Sequence, residues 1–234
     1  MRSGAGLGEG MSELPPILVF DLDGTLADTA PDLIATLNVL LAREGLPLQA
    51  PQAARALVGG GARALIERGF AVAGEPPRRE RVDALVSAFL AHYEAHIADE
   101  TRLFPGAQAA LERFQQAGFA LAVCTNKPEP LARLLLERLG EARRFAAICG
   151  RETFPMAKPD GRVLHATIAL ARGDPKRALM VGDSKTDIET ARNAGAPMVA
   201  VDFGYSDPPV AQLSPDKVIS HFDELWGAAA ALLG

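Results

Sequence analysis

Sulfur is scarce in this chain. Among 234 residues there are two cysteines, Cys124 and Cys149. Two cysteines make no disulfide framework, and their use suits a reducing cytoplasm. Nowhere does an apolar run approach the roughly 18 to 20 residues of a membrane-spanning helix, so no membrane partner is expected. Positive charge is also short: 24 Lys and Arg against 29 Asp and Glu leave a net −5. Such a surface has no general attraction for nucleic acid or anionic lipid. An anionic substrate must then be captured by local groups or by a metal. The first 16 residues are rich in Gly, Ser and Pro and lack the apolar segment of a signal peptide. Residues 1–14 are expected to form a disordered tail, with Met11 as an alternative first residue. There is no internal repeat and no long low-complexity tract.

What is present is an alternation. Ile17-Leu18-Val19-Phe20 is an apolar, β-prone run ending in Asp21-Leu22-Asp23, and Gly24-Thr25 breaks it. Beyond residue 104, further strands are expected at Ala120–Cys124, Ala146–Cys149, Ala178–Val181 and Met198–Val201. Helices are expected between them, at Ala107–Ala117, Leu131–Leu139, Val163–Ala171 and Asp187–Ala194. Short, almost wholly apolar strands alternating with helices predict an α/β fold: a Rossmann-like parallel sheet with helices on both faces.

Residues 30–103 carry a helical pattern without strands. Thr29-Ala30-Pro31-Asp32 resembles a capping box and precedes Leu33, Ile34, Leu37, Leu40 and Leu41 on one helix face. Val82, Leu85, Val86, Phe89, Leu90 and Tyr93 repeat the same spacing. The expected organisation is an α/β core at 15–29 and 104–234, interrupted at 30–103 by a small helical cap. Hinges are expected near Asp28–Pro31 and Glu100–Pro105. An insert after the first strand overhangs the carboxyl end of that strand, where open α/β sheets place their sites.

Polar groups fall at three strand ends: Asp21-x-Asp23, Thr125-Asn126 and Gly182-Asp183. Lys158 follows the strand after Asn126 and can reach the same sheet edge. Each alone reads more readily as a turn, a helix cap or a solvated lysine. Together, in this order, they describe a cluster of carboxylates with a hydroxyl and an ammonium. Crowded carboxylates repel unless a cation or protons intervene. Oxygen-only ligands with few carboxylates favour Mg²⁺. With Lys158, the metal would offset repulsion between Asp21 and a phosphate dianion.

Asp21-Leu22-Asp23-Gly24-Thr25-Leu26, Thr125-Asn126, Lys158-Pro159 and Gly182-Asp183-Ser184-x-x-Asp187 resemble, in order, the four motifs of the haloacid dehalogenase-like superfamily. The likeness runs from about residue 15 onward. It implies a phosphomonoester hydrolase that forms an aspartyl-phosphate on Asp21, with Asp23 as general acid and base. It further implies that Thr125 and Lys158 hold phosphoryl oxygens, assisted by Asn126. Mg²⁺ would bind Asp21, the Asp23 main-chain carbonyl and Asp183, supported by Asp187. The superfamily's dehalogenases lack the second aspartate, so Asp23 implies phosphoryl transfer. One departure is Asp160-Gly161, where relatives often carry another proline near the lysine.

Leu57-Val58-Gly59-Gly60-Gly61-Ala62 resembles the glycine-rich cap segment of the superfamily's phosphoglycolate phosphatases. Leu103-Phe104-Pro105-Gly106, Thr125-Asn126-Lys127-Pro128 and the stretch from Asp216 to Leu225 share that likeness. The implied substrate is a small phosphorylated metabolite, 2-phosphoglycolate first, with Gly60 and Gly61 bringing cap amides to an anionic head group. Arg63 and Arg68 are candidates to face its carboxylate. The bland alternative for the glycines is a helix-to-helix turn. His92 and His96 are read as structural, and Cys124 as a small buried apolar residue. A nucleotidase, a pyrophosphatase or a sugar phosphomutase remains compatible with the core motifs. A phosphonoacetaldehyde hydrolase is not, because residues 30–103 contain no lysine for a Schiff base. A phospho-Asp receiver module fits poorly with Asp21-x-Asp23 and the insert. A binding-only member would be expected to lack a motif residue, and none is missing. A monomer or homodimer is expected.

Overall fold

Strand β1, Ile17–Phe20, is buried on both faces, as its unbroken apolar run requires. A computed structural model describes residues 14–50 and 55–234. The expected tail lies outside the described residues except for Leu14. From there the chain is tied to the core: the Leu14, Pro15 and Pro16 carbonyls accept from Arg177, Asp174 and Ala120.

After β1 come the two-residue strand β2 (Ala27–Asp28) and, among the described residues, helices α1 (Ala30–Arg43), α2 (Gly61–Val72) and α3 (Arg79–Ala95). Strand β3, Arg102–Leu103, returns antiparallel to β2. The core then runs α4 (Ala107–Gln116), β4 (Ala120–Cys124), α5 (Glu129–Arg138), β5 (Ala147–Cys149), α6 (Gly161–Leu170), β6 (Ala178–Gly182), α7 (Lys185–Ala194), β7 (Met198–Val201), β8 (Lys217–Ile219) and α8 (Leu225–Leu233). Six strands form one parallel sheet in the order β5-β4-β1-β6-β7-β8.

The sheet is covered on both faces, and the alternation within each strand decides which core a residue joins. Leu18, Phe20, Leu121, Val123, Leu179 and Val181 pack with Leu111 and Phe114 of α4, Leu135 of α5 and Leu225 of α8. Ile17, Val19, Ala122, Cys124 and Met180 pack instead with Val163, Leu164 and Ile168 of α6 and Ile188 of α7. Three of the four expected core helices begin two residues earlier than apolar spacing predicts. Their first turns are polar or carry proline, as in Pro128-Glu129-Pro130, Asp160-Gly161-Arg162 and Ser184-Lys185-Thr186, so they add nothing to the apolar pattern. Strand β8, the β2–β3 ribbon and α8 go unforeseen, the strands because two or three residues are too few to show a period.

One local expectation is corrected. Thr29 stands at the N-cap of α1, but its side chain makes no capping bond and Thr29 Oγ1 is buried without a partner. Asp32 reaches across the chain instead. Its carboxylate accepts from the Glu100 and Thr101 amides and from Thr101 Oγ1 at 2.7 Å. With the β2–β3 pairing, this clamps together the two segments joining the helical insert to the core.

Candidate active site

The chain builds outward from β1 in one direction to β4 and β5, then returns to the other side of β1 for β6 to β8. That reversal opens a crevice at the carboxyl ends of β1, β4 and β6. Asp21 follows β1, Thr125 follows β4 and Asp183 follows β6. Lys158, on the loop before α6, reaches in: its Nζ lies 3.0 Å from Asp21 Oδ1 and 2.6 Å from Asp187 Oδ1. The loop is braced at both ends. Asn126 Nδ2 donates to the Lys158 carbonyl and Asn193 Nδ2 to that of Pro159. The departure at Asp160-Gly161 has a local reason. Asp160 caps α6, and a Cβ on Gly161 would stand 2.4 Å from the Asn193 backbone.

Asp21, Asp183 and Asp187 are buried, and each offers a carboxylate oxygen within 4.8 Å of the others. Burial, reinforced by Asp187 and Asp21, pushes the Asp183 carboxyl up to about 8. Burial also raises Asp21, though the Lys158 ammonium pulls against it and holds it to about 6. Lys158 itself is pushed up, because Asp187 and Asp21 outweigh the penalty of burying its charge. Asp187 is fully engaged: Lys158 holds one oxygen, and the Ser184 amide and hydroxyl hold the other. Asp21 Oδ1 is not. It is buried, within ion-pair distance of Lys158 but outside hydrogen-bonding geometry. A hard divalent cation fits this oxygen-only donor set of Asp21, Asp183 and Asp187, the last of which also braces Lys158.

Space for the acids comes from glycine. A Cβ on Gly24, whose φ is 81°, would stand 2.5 Å from Asp183 Oδ2. One on Gly204 would stand 2.3 Å from Asp183 Cβ, and one on Gly182 would stand 2.5 Å from Asp187. The Tyr205 amide donates to Asp183 Oδ2 at 2.7 Å, and Thr25 Oγ1 to Oδ1 at 3.3 Å.

Asp23 points to a different neighbour. Its Oδ1 accepts from Lys127 Nζ at 2.9 Å, and the same ammonium donates to Tyr93 Oη at 2.9 Å. Burial lowers the Lys127 ammonium, but Asp23 and Tyr93 outweigh it and push it up. Tyr93 belongs to the insert helix α3, so a cap side chain is bonded into the cluster. Neither Lys127 nor Tyr93 stands out as a site residue in the sequence. Lys127 is visible there only within the Thr125-Asn126-Lys127-Pro128 likeness, without a role, and Tyr93 only as one more position on an apolar helix face.

The other cap candidates are engaged elsewhere. Arg63 pairs with Asp83 on the surface. Arg68 donates to the Ala64 and Gly59 carbonyls, fastening the turn before α2. Gly60 and Gly61 hold that turn with φ of 75° and 88°, which favours glycine over any other residue.

Residues 18–201 match the family model of the haloacid dehalogenase-like hydrolases. The chain belongs to that family. Within it, the chain is 51% identical over 210 residues to a phosphoglycolate phosphatase of Mesorhizobium japonicum, covering 90% of this chain and 92% of the relative. It is 48% identical over 216 residues to a phosphoglycolate phosphatase of Caulobacter vibrioides, covering 92% and 91%. A crystal structure of a predicted phosphoglycolate phosphatase from Haemophilus somnus superposes with a TM-score of 0.83 at 28% identity, covering 92% of this chain and 97% of the other. Among the described residues of this haloacid dehalogenase-like hydrolase, no helix is long and apolar enough to cross a membrane.

Proposed function

We propose that this hydrolase is a Mg²⁺-dependent phosphatase that cleaves 2-phosphoglycolate to glycolate and phosphate through an aspartyl-phosphate on Asp21. The observation that carries this reading is the buried Asp21–Lys158–Asp183 cluster at the sheet switch point. Relatives about half identical over nine-tenths of the chain support the substrate. The free, buried Cys124 and Cys149 suit a cytoplasmic setting.

Asp21 attacks phosphorus through a carboxylate oxygen at the end of β1. The electron pair of the breaking P–O bond moves onto the glycolate oxygen, and Asp23 donates a proton to it. Asp23 then takes a proton from the water that cleaves the acyl-phosphate, which restores Asp21 and releases phosphate. Lys158 and Thr125 hold the phosphoryl oxygens, and Asn126 keeps Lys158 in place through its amide. Bound at Asp21, Asp183 and the Asp23 carbonyl, Mg²⁺ would neutralise charge on the transferring group.

The test is a Mg²⁺-dependent hydrolysis screen across small phosphate esters that includes 2-phosphoglycolate, with Asp21→Asn as control. Expected are turnover of 2-phosphoglycolate above the other esters and loss of turnover in the variant. Undiminished activity in Asp21→Asn would rule out the nucleophile. Better turnover of another ester would overturn only the substrate.

A further inference from the structure

2-Phosphoglycolate carries a second anion, its carboxylate, and the cap arginines expected to meet it are bonded to other groups. The buried lysines and arginines of the described residues are two, Lys127 and Lys158. Lys158 is held between Asp21 and Asp187. Lys127 is not part of the phosphoryl-transfer set, yet its side chain is only 4% exposed and its ammonium lies against Asp23. An ammonium has three N–H donors. Asp23 and Tyr93 take two of them, and the third is left for a ligand.

The substrate's own covalent structure restricts where its carboxylate falls. One methylene separates the leaving oxygen from the carboxyl carbon, so the carboxylate oxygens lie about 3 Å from the leaving oxygen, roughly the span of a hydrogen bond. If Asp23 protonates that oxygen, two carboxylates stand side by side, one from the enzyme and one from the substrate. They repel unless they share a cation. Lys127 is already on Asp23, and the Asp23 side chain is 24% exposed, so a small ligand can approach the pair. Tyr93 holds the ammonium from the cap side through its hydroxyl and its ring, whose centroid is 4.5 Å from Nζ.

We propose that Lys127 binds the substrate carboxylate through its third N–H, bridging it to Asp23, and thereby determines the preference for carboxylated phosphate esters. The assignment rests on the phosphoglycolate reading above. It makes Lys127 a substrate-binding residue on the core, with Tyr93 of α3 as its positioning residue.

The experiment compares kcat/KM for 2-phosphoglycolate and ethyl phosphate, which has the same two-carbon skeleton without the carboxylate. Wild type, Lys127→Met and Lys127→Gln are measured with Mg²⁺, and inhibition by inorganic phosphate serves as the control for an intact phosphoryl site. Lys127→Met is expected to cut the 2-phosphoglycolate to ethyl phosphate ratio by about 30-fold or more, chiefly through KM. Its inhibition constant for phosphate is expected to stay within about threefold of wild type, a difference well under 1 kcal/mol. Where the Met variant does not fold, the Gln variant is read by the same ratio. A ratio equal to wild type in the folded variant overturns the assignment, because both esters then depend on Lys127 alike. A wild-type enzyme with no preference for 2-phosphoglycolate removes the substrate reading itself, and that result is visible before any variant is made.

Discussion

At Asp21 two demands pull against each other. The proposed nucleophile has to be ionised, while burial, with Asp187 close by, favours the proton. Lys158 supplies part of the compensation, and in the proposed mechanism a divalent cation held by the same acids would supply the rest. Asp23, one residue beyond Leu22, faces a different buried lysine, and so two acids two positions apart meet different partners. Asp23→Asn is expected to lower kcat on 2-phosphoglycolate by about 10²- to 10⁴-fold. Measured as kcat/KM, which reports the phosphorylation half-reaction without the shared hydrolysis of the aspartyl-phosphate, the loss should be far smaller on p-nitrophenyl phosphate, whose leaving group needs no proton. Equal losses in kcat/KM would remove Asp23 as the acid. Gly204→Ala puts a methyl group against Asp183 and is expected to weaken Mg²⁺ binding by about 10- to 100-fold, measured by titration calorimetry. At this scale the motif residues were legible from their order at strand ends. Lys127 and Tyr93 were not, because their meeting depends on how α3 lies over the loop after β4.

Among the elements, the β2–β3 ribbon and the N-terminal turn of α1 lie where the sequence places two hinges, and they are bonded to one another. Asp32 is buried and gathers two amides and a hydroxyl from Glu100 and Thr101. Asp32→Ala leaves those donors without an acceptor and is expected to cost about 2–4 kcal/mol in urea unfolding. Tyr205 extends the connection. Its amide holds Asp183, and its hydroxyl donates to Asp28 at 2.6 Å while accepting from the Ala30 amide. Arg55, from a short turn in the insert, pairs with the other Asp28 oxygen at 2.9 Å. These bonds therefore link Asp183 to both the ribbon and α1. Helical periodicity showed that Leu33, Leu37, Phe89 and Tyr93 belong to buried faces. It carried no information on what Asp32 would bond, since that partner lies nearly seventy residues away.

For the molecule as a whole, the acid cluster makes stability depend on pH and on metal together. The folded-state values of Asp21 and Asp183, about 6 and about 8, lie above the ordinary 3.8 of an aspartic acid. A raised carboxyl contributes stability below its unfolded value and loses it as pH rises through the folded one. The metal-free protein is therefore expected to lose thermal stability between about pH 4 and 8. The gain in Tm on adding Mg²⁺ should grow over the same range, because the cation binds the ionised acids. Melting curves with and without Mg²⁺ at pH 5 and pH 8 check this, and a gain that shrinks with pH would count against the site. By itself the sequence determined the α/β class, the strands that build the sheet and the acids at their ends, because these follow from local apolar runs and short-range spacing. Only the tertiary structure decided that Asp32 clasps the return strand, that glycines make room for Asp183 and Asp187, and that Lys127 lies between Asp23 and Tyr93. Those are contacts between segments far apart in the chain, and no local pattern encodes the docking of a helix on a loop.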